Sequence, residues 1–511
     1  MHVHLMTGEG AFERSLSTIV SLFFEQPVTT IGTEAPAGAE IVIALESGLT
    51  GEEAYASAAL YGSAAQARRE AKHRRSAPGA APLEERRKAL KLAISRVLLD
   101  VLQQETGIVQ PWGILTGVRP TKLLHERMRR GIPPEQARRE LQHDYLISEE
   151  KTELMARIVD RQLSAIPDLY ELRREVSIYI GIPFCPTKCA YCTFPAYDIN
   201  GRQGSVNGFL HGLHHEIREI GKWLRDNGVR ITTIYFGGGT PTSIAADEMD
   251  RLYAEMFEAF PNVDRVREIT VEAGRPDTIT PDKLAVLHKW GVDRISINPQ
   301  SYTQETLDLI GRHHTVKETV EKFGLARASG MDNINMDLII GLPGEGLAEF
   351  EHSLEETAKL LPESLTVHTL SFKRASEMTQ RRGDGTFKVA DREEVGRMMA
   401  RAASWMDCFG YEPYYLYRQK NILGNLENVG YSKPGLESLY NILIIEEMQT
   451  IIGLGCGAST KWVHPVTGEI GRLANPKEPK AYIDTYLQYT EAKLAELDKL
   501  FGAGSRAGAD A

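Results

Sequence analysis

From Val176 onward the chain repeats one unit: an apolar run of strand length, then a helical pattern. The runs cover residues 176–182, 231–236, 268–273, 292–297, 333–340 and 365–370. Between them, Leu210, Leu213, Ile217, Ile220 and Leu224 form one apolar stripe at helical spacing, and Phe350, Leu354 and Leu361 form another. Strands that alternate with helices pair in parallel, each helix crossing over a face of the sheet. The fold class is therefore α/β. Six strands are too few to close an eight-stranded barrel. Chemistry in parallel α/β folds gathers at the carboxyl ends of the strands, so the residues just past each run carry the most information.

Past the first run stand Cys185, Cys189 and Cys192, in a C-x3-C-x2-C pattern. Three closely spaced thiolates can hold three corners of a cubic iron–sulfur cluster, whose usual form takes four cysteines. The fourth iron is then open, and an open metal position binds and activates a ligand. Zinc asks for four nitrogen or sulfur ligands, with a second cysteine or histidine pair, and no such pair follows. Five cysteines in 511 residues, with no basic-then-apolar leader after Met1, argue against a disulfide framework.

The other strand ends are polar. Gly237, Gly238 and Gly239 precede Thr240; consecutive glycines admit a ligand close to the backbone, and a tight turn accounts for them equally well. Glu272 alternates with Thr270 and faces away from Val271. It needs a partner if buried, and a salt bridge to a nearby arginine is an open reading. Gln300, Arg312 and Asp337 follow the fourth run and lie in the fifth. Each alone reads as polar filler, and Tyr179 and Tyr191 alone read as core tyrosines.

Taken together, the cysteine triplet with Tyr191 before Cys192 resembles the signature of the radical S-adenosylmethionine (SAM) superfamily. The flanking Tyr179, Gly181, Pro183 and Phe184 resemble its oxygen-independent coproporphyrinogen III oxidase family. The resemblance covers roughly residues 176–461, and the amino-terminal region and residues 414–425 are similar to the HemZ-type branch. It implies a partial (β/α)6 barrel with an N-terminal α/β domain and a C-terminal α+β domain. It implies a [4Fe-4S] cluster on Cys185, Cys189 and Cys192, with SAM at the open iron. Gly238, Gly239 and Thr240 would hold the methionine end of SAM, and Glu272 would contact it. Arg312 would meet its carboxylate, which suits a bidentate guanidinium. Gln300 and Asp337 would contact the ribose hydroxyls, and Tyr179 and Tyr191 would flank the cluster.

The implied activity is oxidative decarboxylation. The reduced cluster passes an electron to SAM, which splits into methionine and a 5′-deoxyadenosyl radical. That radical takes a hydrogen from the β-carbon of a propionate arm. Loss of carbon dioxide and one further electron leaves a vinyl group, and two rounds convert coproporphyrinogen III to protoporphyrinogen IX. A tetrapyrrole substrate and a low-potential electron donor such as flavodoxin or ferredoxin are the implied partners. One position departs from the oxidase pattern. Phe194 stands where the oxidase has a further cysteine, and haem-carrying relatives share the phenylalanine. A haem-binding delivery protein that keeps the cluster is thus the alternative, and a radical SAM enzyme with another substrate is a third reading. His368, His313 and Cys456 are available as axial ligands.

A formal charge of −10 and a pI near 5.9 argue against a general binder of nucleic acid or anionic membranes. No uncharged apolar run reaches 18 residues, so no membrane span is expected. Sparse cysteines and an oxygen-sensitive cluster point to the reducing cytoplasm. The domains read as 1–170, an N-terminal α/β domain of unknown role; 171–385, the partial barrel; 386–500, the C-terminal family domain; and 501–511, a disordered tail.

Within the first domain, residues 2–6 and 41–45 suggest strands and 12–24 a helix. The basic stretch 66–75 reads as a solvated helix end, with 76–82 as a connector. Leu90, Ile94, Val97 and Val101 mark a helix beginning near Leu83, and Pro120 marks another start. Arg119 and Lys122 beside it make a conceivable anion site. Near the C-terminus, Arg374, Arg418 and Lys420 are candidates for carboxylate arms. Cys408 and Cys456 read as packed thiols, and 482–497 as a final helix.

Overall fold

The six apolar runs form strands buried along almost their whole length, as parallel strands covered on both faces must be. The structure is a computed structural model and describes residues 1–8, 12–24, 27–36, 38–62, 67–117, 119–199, 204–373, 376–381, 385–419 and 422–502. Arg374, Lys420 and the tail beyond 502 lie outside the described residues. The chain divides into two units, Met1–Ala156 and Arg157–Ala511.

The first unit holds β1 (His2–Met6), α1 (Glu13–Val20), β2 (Val28–Gly32), β3 (Ile41–Leu49), β4 (Glu53–Tyr61) and β5 (Arg69–Ser76). The sheet order is β2-β1-β3-β4-β5, parallel around β1 and antiparallel from β3 to β5. Helix α2 (Leu83–Thr106) packs Leu90, Ile94, Val97 and Val101 into one core with Val3, Ile43, Ala56 and Leu60. The basic stretch expected as a helix end is instead strand β5, paired from Arg69 opposite Leu60 to Ser76 opposite Glu53. It lacks the apolar stripe that would anchor a helix, while the small residues of β4 offer a flat partner. A charged edge strand also resists pairing with other chains. Helix α3 (Pro120–Arg129) begins at Pro120, as expected. Helix α4 (Pro134–Tyr145) follows, and α5 (Glu149–Ala165) leads into the second unit.

The second unit carries the strand–helix repeat. Its parallel strands are β6 (Val176–Ile182), then β9 (Ile231–Gly238), β10 (Glu268–Val271), β11 (Arg294–Ser296), β12 (Ile334–Ile340) and β13 (Ser364–Thr369). Between β6 and β9 lie two short strands, β7 (Phe184–Cys185) and β8 (Tyr197–Asp198), and helix α6 (Val206–Asn227). The later crossovers are α7 (Ala246–Ala259), α8 (Pro281–Lys289), α9 (Gln304–Leu309) with α10 (Val316–Ala328), and α11 (Leu347–Leu360). The stripe Leu210, Leu213, Ile217, Ile220, Leu224 is the buried face of α6.

After the short α12 (Glu377–Gln380) and α13 (Arg392–Cys408), the C-terminal region adds strands to both edges of this sheet. Strands β14 (Glu412–Tyr417) and β15 (Asn428–Ser432) extend it antiparallel beyond β13. Past helix α14 (Leu439–Glu446), β16 (Thr450–Gly455) pairs in parallel with β6. Strands β17 (Ser459–Val463) and β18 (Ile470–Ala474) continue antiparallel, and α15 (Pro479–Phe501) packs on α6. The eleven-stranded sheet does not close, so its parallel strands make a partial barrel. The added strands pair both edges of the parallel run and move the sheet edges out to β14 and β18. Cys408, read as a packed thiol, is exposed because α13 ends there; Cys456 is buried. Among the described residues, no helix is long and apolar enough to cross a membrane.

Candidate active site

A cavity of about 510 Å³ opens at the carboxyl ends of the parallel strands, within the ordinary size range of small-molecule sites. Cys185, Cys189, Cys192, Tyr179, Tyr191, Gly238, Gly239, Thr240, Glu272, Gln300, Arg312 and Asp337 all line it. The strand ends thus bring together every site residue read from the sequence in this region.

The cysteine loop leaves β6 and is pinned on several sides. Strands β7 and β8 pair across its base, Phe184 opposite Tyr197 and Cys185 opposite Asp198. The amides of Gly239 and Thr240 donate to the carbonyls of Ile182 and Phe184, each at 2.7 Å. These two amides therefore hold the loop. The glycines are required by the same approach: a β-carbon on Gly239 would stand 2.5 Å from the Phe184 carbonyl oxygen. On the far side, Ala190 N donates to Ile310 O at 3.0 Å and Thr187 Oγ1 to Gly311 O at 3.1 Å. Arg275 Nη1, itself held by Asp277, donates to Thr187 Oγ1 at 2.9 Å.

Burial raises the Cys185 thiol to about 11, although Thr240 Oγ1 lies 3.3 Å from its sulfur. Burial raises Cys192 as well. Thiols held neutral by an apolar wall become ligands when a metal takes the place of their protons. Among the described residues no three His, Cys, Asp or Glu side chains converge as on a single metal ion. A cubic cluster instead takes its thiolates one per iron, which three sulfurs along one cavity wall can supply.

The same cavity holds a set of polar atoms without partners. Thr270 Oγ1, Ser296 Oγ, Asn298 Oδ1, Gln300 Oε1 and Arg312 Nε are buried and unbonded. All five residues line the cavity. Buried polar groups in folded proteins are nearly always bonded, so such an array calls for a polar ligand. Arg312 is fixed by its Nη2, which donates to Asn298 O at 2.7 Å and Gly274 O at 2.9 Å, and by Tyr191 Oη. Gln300 sits in the left-handed region, φ 67°, with its amide on Asp337 O. Its amide side chain is thereby turned inward.

Two carboxylates in the cavity differ in character. Burial lifts Glu272 to about 7, although Tyr235 Oη donates to it at 2.5 Å. Burial would also lift Asp337, but His368, Asn335 and Thr366 outweigh it and hold the carboxyl below its usual range. His368 Nε2 lies 3.5 Å from Asp337, and its Nδ1 lies 3.2 Å from Tyr417 Oη. Behind Glu272, Tyr235 stacks on Tyr440 at 4.3 Å, with Tyr179 alongside. Tyr440 is presented by α14, whose first amides and Ser438 Oγ bond to the Glu268 carboxylate of β10.

Of the axial-ligand candidates, His368 alone lines the cavity; His313 is exposed, and the Cys456 thiol bonds the carbonyls of Pro476 and Lys477. Arg418 is buried against Asn425 and does not line the cavity. Asn298, Arg275, Arg294, Tyr235, Tyr440 and Lys373 are cavity residues that the sequence reading missed. Strand alternation could have found some: Arg294, Ser296 and Asn298 share a face as Thr270 and Glu272 do.

Comparison with known proteins agrees with this geometry. Residues 179–357 match the model of the radical SAM superfamily. The chain is 59% identical over 488 residues to the oxygen-independent coproporphyrinogen-III oxidase-like protein HemZ of Bacillus subtilis (strain 168), covering 96% of each chain. It is 30% identical over 327 residues to the heme chaperone HemW of the same organism, covering 63% of this chain and 81% of that one. In structure it is similar to coproporphyrinogen III oxidase (HemN) from Escherichia coli, with TM-score 0.50 and 22% identity over 64% of this chain and 72% of that one. Radical SAM proteins use a [4Fe-4S] cluster and SAM, and a cavity lined by three thiols and unbonded polar atoms fits both. The chain belongs to the radical SAM superfamily, in its family of oxygen-independent coproporphyrinogen III oxidase-like proteins.

Proposed function

We infer that the protein is an oxidative decarboxylase that converts coproporphyrinogen III to protoporphyrinogen IX. The observation that carries this reading is the meeting of three thiols and a set of unbonded polar atoms in one cavity. A cluster and SAM bound there supply hydrogen-abstracting radical chemistry. Cys185, Cys189 and Cys192 hold the cluster. Arg312 and Gln300 take the polar ends of SAM, Asp337 stays ionised to accept from hydroxyls, and Glu272 accepts or lends a proton near neutral pH. The tyrosine stack behind Glu272 keeps water from the floor of the cavity.

The HemW similarity supports a second reading, delivery of haem. Against it, both nitrogens of His368 already face partners, Asp337 and Tyr417. The deciding experiment is anaerobic turnover of reconstituted protein with SAM, a strong reductant and coproporphyrinogen III. Substrate-dependent 5′-deoxyadenosine together with protoporphyrinogen is the expected result. Slow 5′-deoxyadenosine without tetrapyrrole product, with stoichiometric haem uptake, would overturn the decarboxylase reading in favour of haem handling.

A further inference from the structure

The lip of the cavity carries two residues that the chemistry above leaves unused. Phe194, two residues past Cys192, is 60% exposed although it is a large apolar side chain. Lys373, just past β13, sets its Nζ over the Phe194 ring, 5.5 Å from the centroid. Both line the cavity. Lys373 is half-buried, and no carboxylate among the described residues forms an ion pair with it.

Holding an ammonium partly out of water is costly unless a carboxylate pairs with it. A cation–π contact returns only about 0.5–2 kcal/mol of that cost. An incoming carboxylate would complete the site with a charge-assisted hydrogen bond. The exposed side of the Phe194 ring meanwhile offers an apolar platform next to that carboxylate. The pair therefore matches a ligand that carries an acid arm on an apolar ring.

We propose that Lys373 and Phe194 form the docking point of the tetrapyrrole, Lys373 pairing with one propionate carboxylate and Phe194 packing against the ring that bears it. This rests on the tetrapyrrole reading above and goes beyond it by naming the recognition residues. With the cysteines and the unbonded polar atoms reserved for the cluster and SAM, the macrocycle would sit at the lip and send one arm inward. Specificity is joint: an acid without the ring loses Phe194, and a ring without the acid loses Lys373.

The test uses the full chain, reconstituted anaerobically. Coproporphyrin III, the fluorescent oxidised ring with the same four propionates, is titrated against it, and so is its neutral tetra-amide. Lys373→Met is expected to weaken coproporphyrin III about tenfold and leave the tetra-amide unchanged. Lys373→Arg is expected to restore binding to within about threefold, a loss of under 1 kcal/mol. Phe194→Ser is expected to weaken both ligands. Iron content and SAM affinity should match the parent in all three variants. Parent-like binding of coproporphyrin III by Lys373→Met overturns the proposal. So does loss of iron or SAM affinity in place of porphyrin affinity, which would assign the lysine to the cluster. A parent chain that binds neither porphyrin refutes the tetrapyrrole reading itself, and the docking point falls with it.

Discussion

Gly239→Ala tests how the cysteine loop is held. The added carbon would stand 2.5 Å from the Phe184 carbonyl oxygen and 3.0 Å from that residue's nitrogen and carbonyl carbon. Ordinary contact begins near 3.4 Å, so the loop and the β9 end must part by about 1 Å. That separation runs along two hydrogen bonds of 2.7 Å, from Gly239 N to Ile182 O and from Thr240 N to Phe184 O. Lengthened by so much, neither remains a good bond. Each contributes about 0.5–1.5 kcal/mol net, and overpacking costs about 1–3 kcal/mol. The expected destabilisation is about 2–6 kcal/mol. Cys185 follows Phe184 directly, so the first thiol shifts with the loop.

Denaturant unfolding of the apo-chain and iron per chain after anaerobic reconstitution are the readouts. Gly324→Ala is the control: it lies in α10 with nothing within 4 Å of an added carbon. There a methyl group should stabilise by about 0.5–1 kcal/mol. If Gly239→Ala is within about 0.5 kcal/mol of the parent and holds full iron, the reasoning is wrong.

Cys185→Ala, Cys189→Ala and Cys192→Ala should each abolish the iron complement of about four per chain expected for a cubic cluster, while Cys456→Ala keeps it; full iron in all three would refute the ligand assignment. Burial holds Glu272 at about 7 against an ordinary 4.5, so folding favours its protonated form. Its contribution to apo-chain stability is then present below pH 4.5 and lost as pH rises through 7. Glu272→Gln should remove that slope, and an unchanged stability–pH curve would count against the assignment. Lys493 and Glu216 form a fully buried ion pair between α15 and α6. Lys493→Met should cost about 3–5 kcal/mol by stranding the carboxylate, and a variant as stable as the parent in denaturant would show that the pair is not needed.

Residues close in sequence were legible. The cysteine spacing lies within eight residues, and strand periodicity alone put Glu272 on the face of Thr270 and away from Val271, as observed. Gly239 was also legible as a close-approach glycine. Its partner, the Phe184 backbone, was not, because the contact joins segments separated by the whole crossover that carries α6. Strand β5 was misread because an edge strand made of charges has no local apolar signal, and its partner β4 decides it. Arg418 stood out in the sequence as a basic residue near aromatics, and Lys373 did not. Depth separates them, since one is buried against Asn425 and the other reaches the cavity.

The sequence by itself determined the chemistry: three thiols on one loop, an α/β repeat, and polar residues at each strand end. These depend on spacing within a few turns or strands, which the chain carries locally. Only the tertiary structure decided which polar atoms lack partners, which histidine reaches the cavity, and that Lys373 stands over Phe194. Those facts depend on side chains from distant strands competing for the same partners, and that competition exists only once the sheet has assembled.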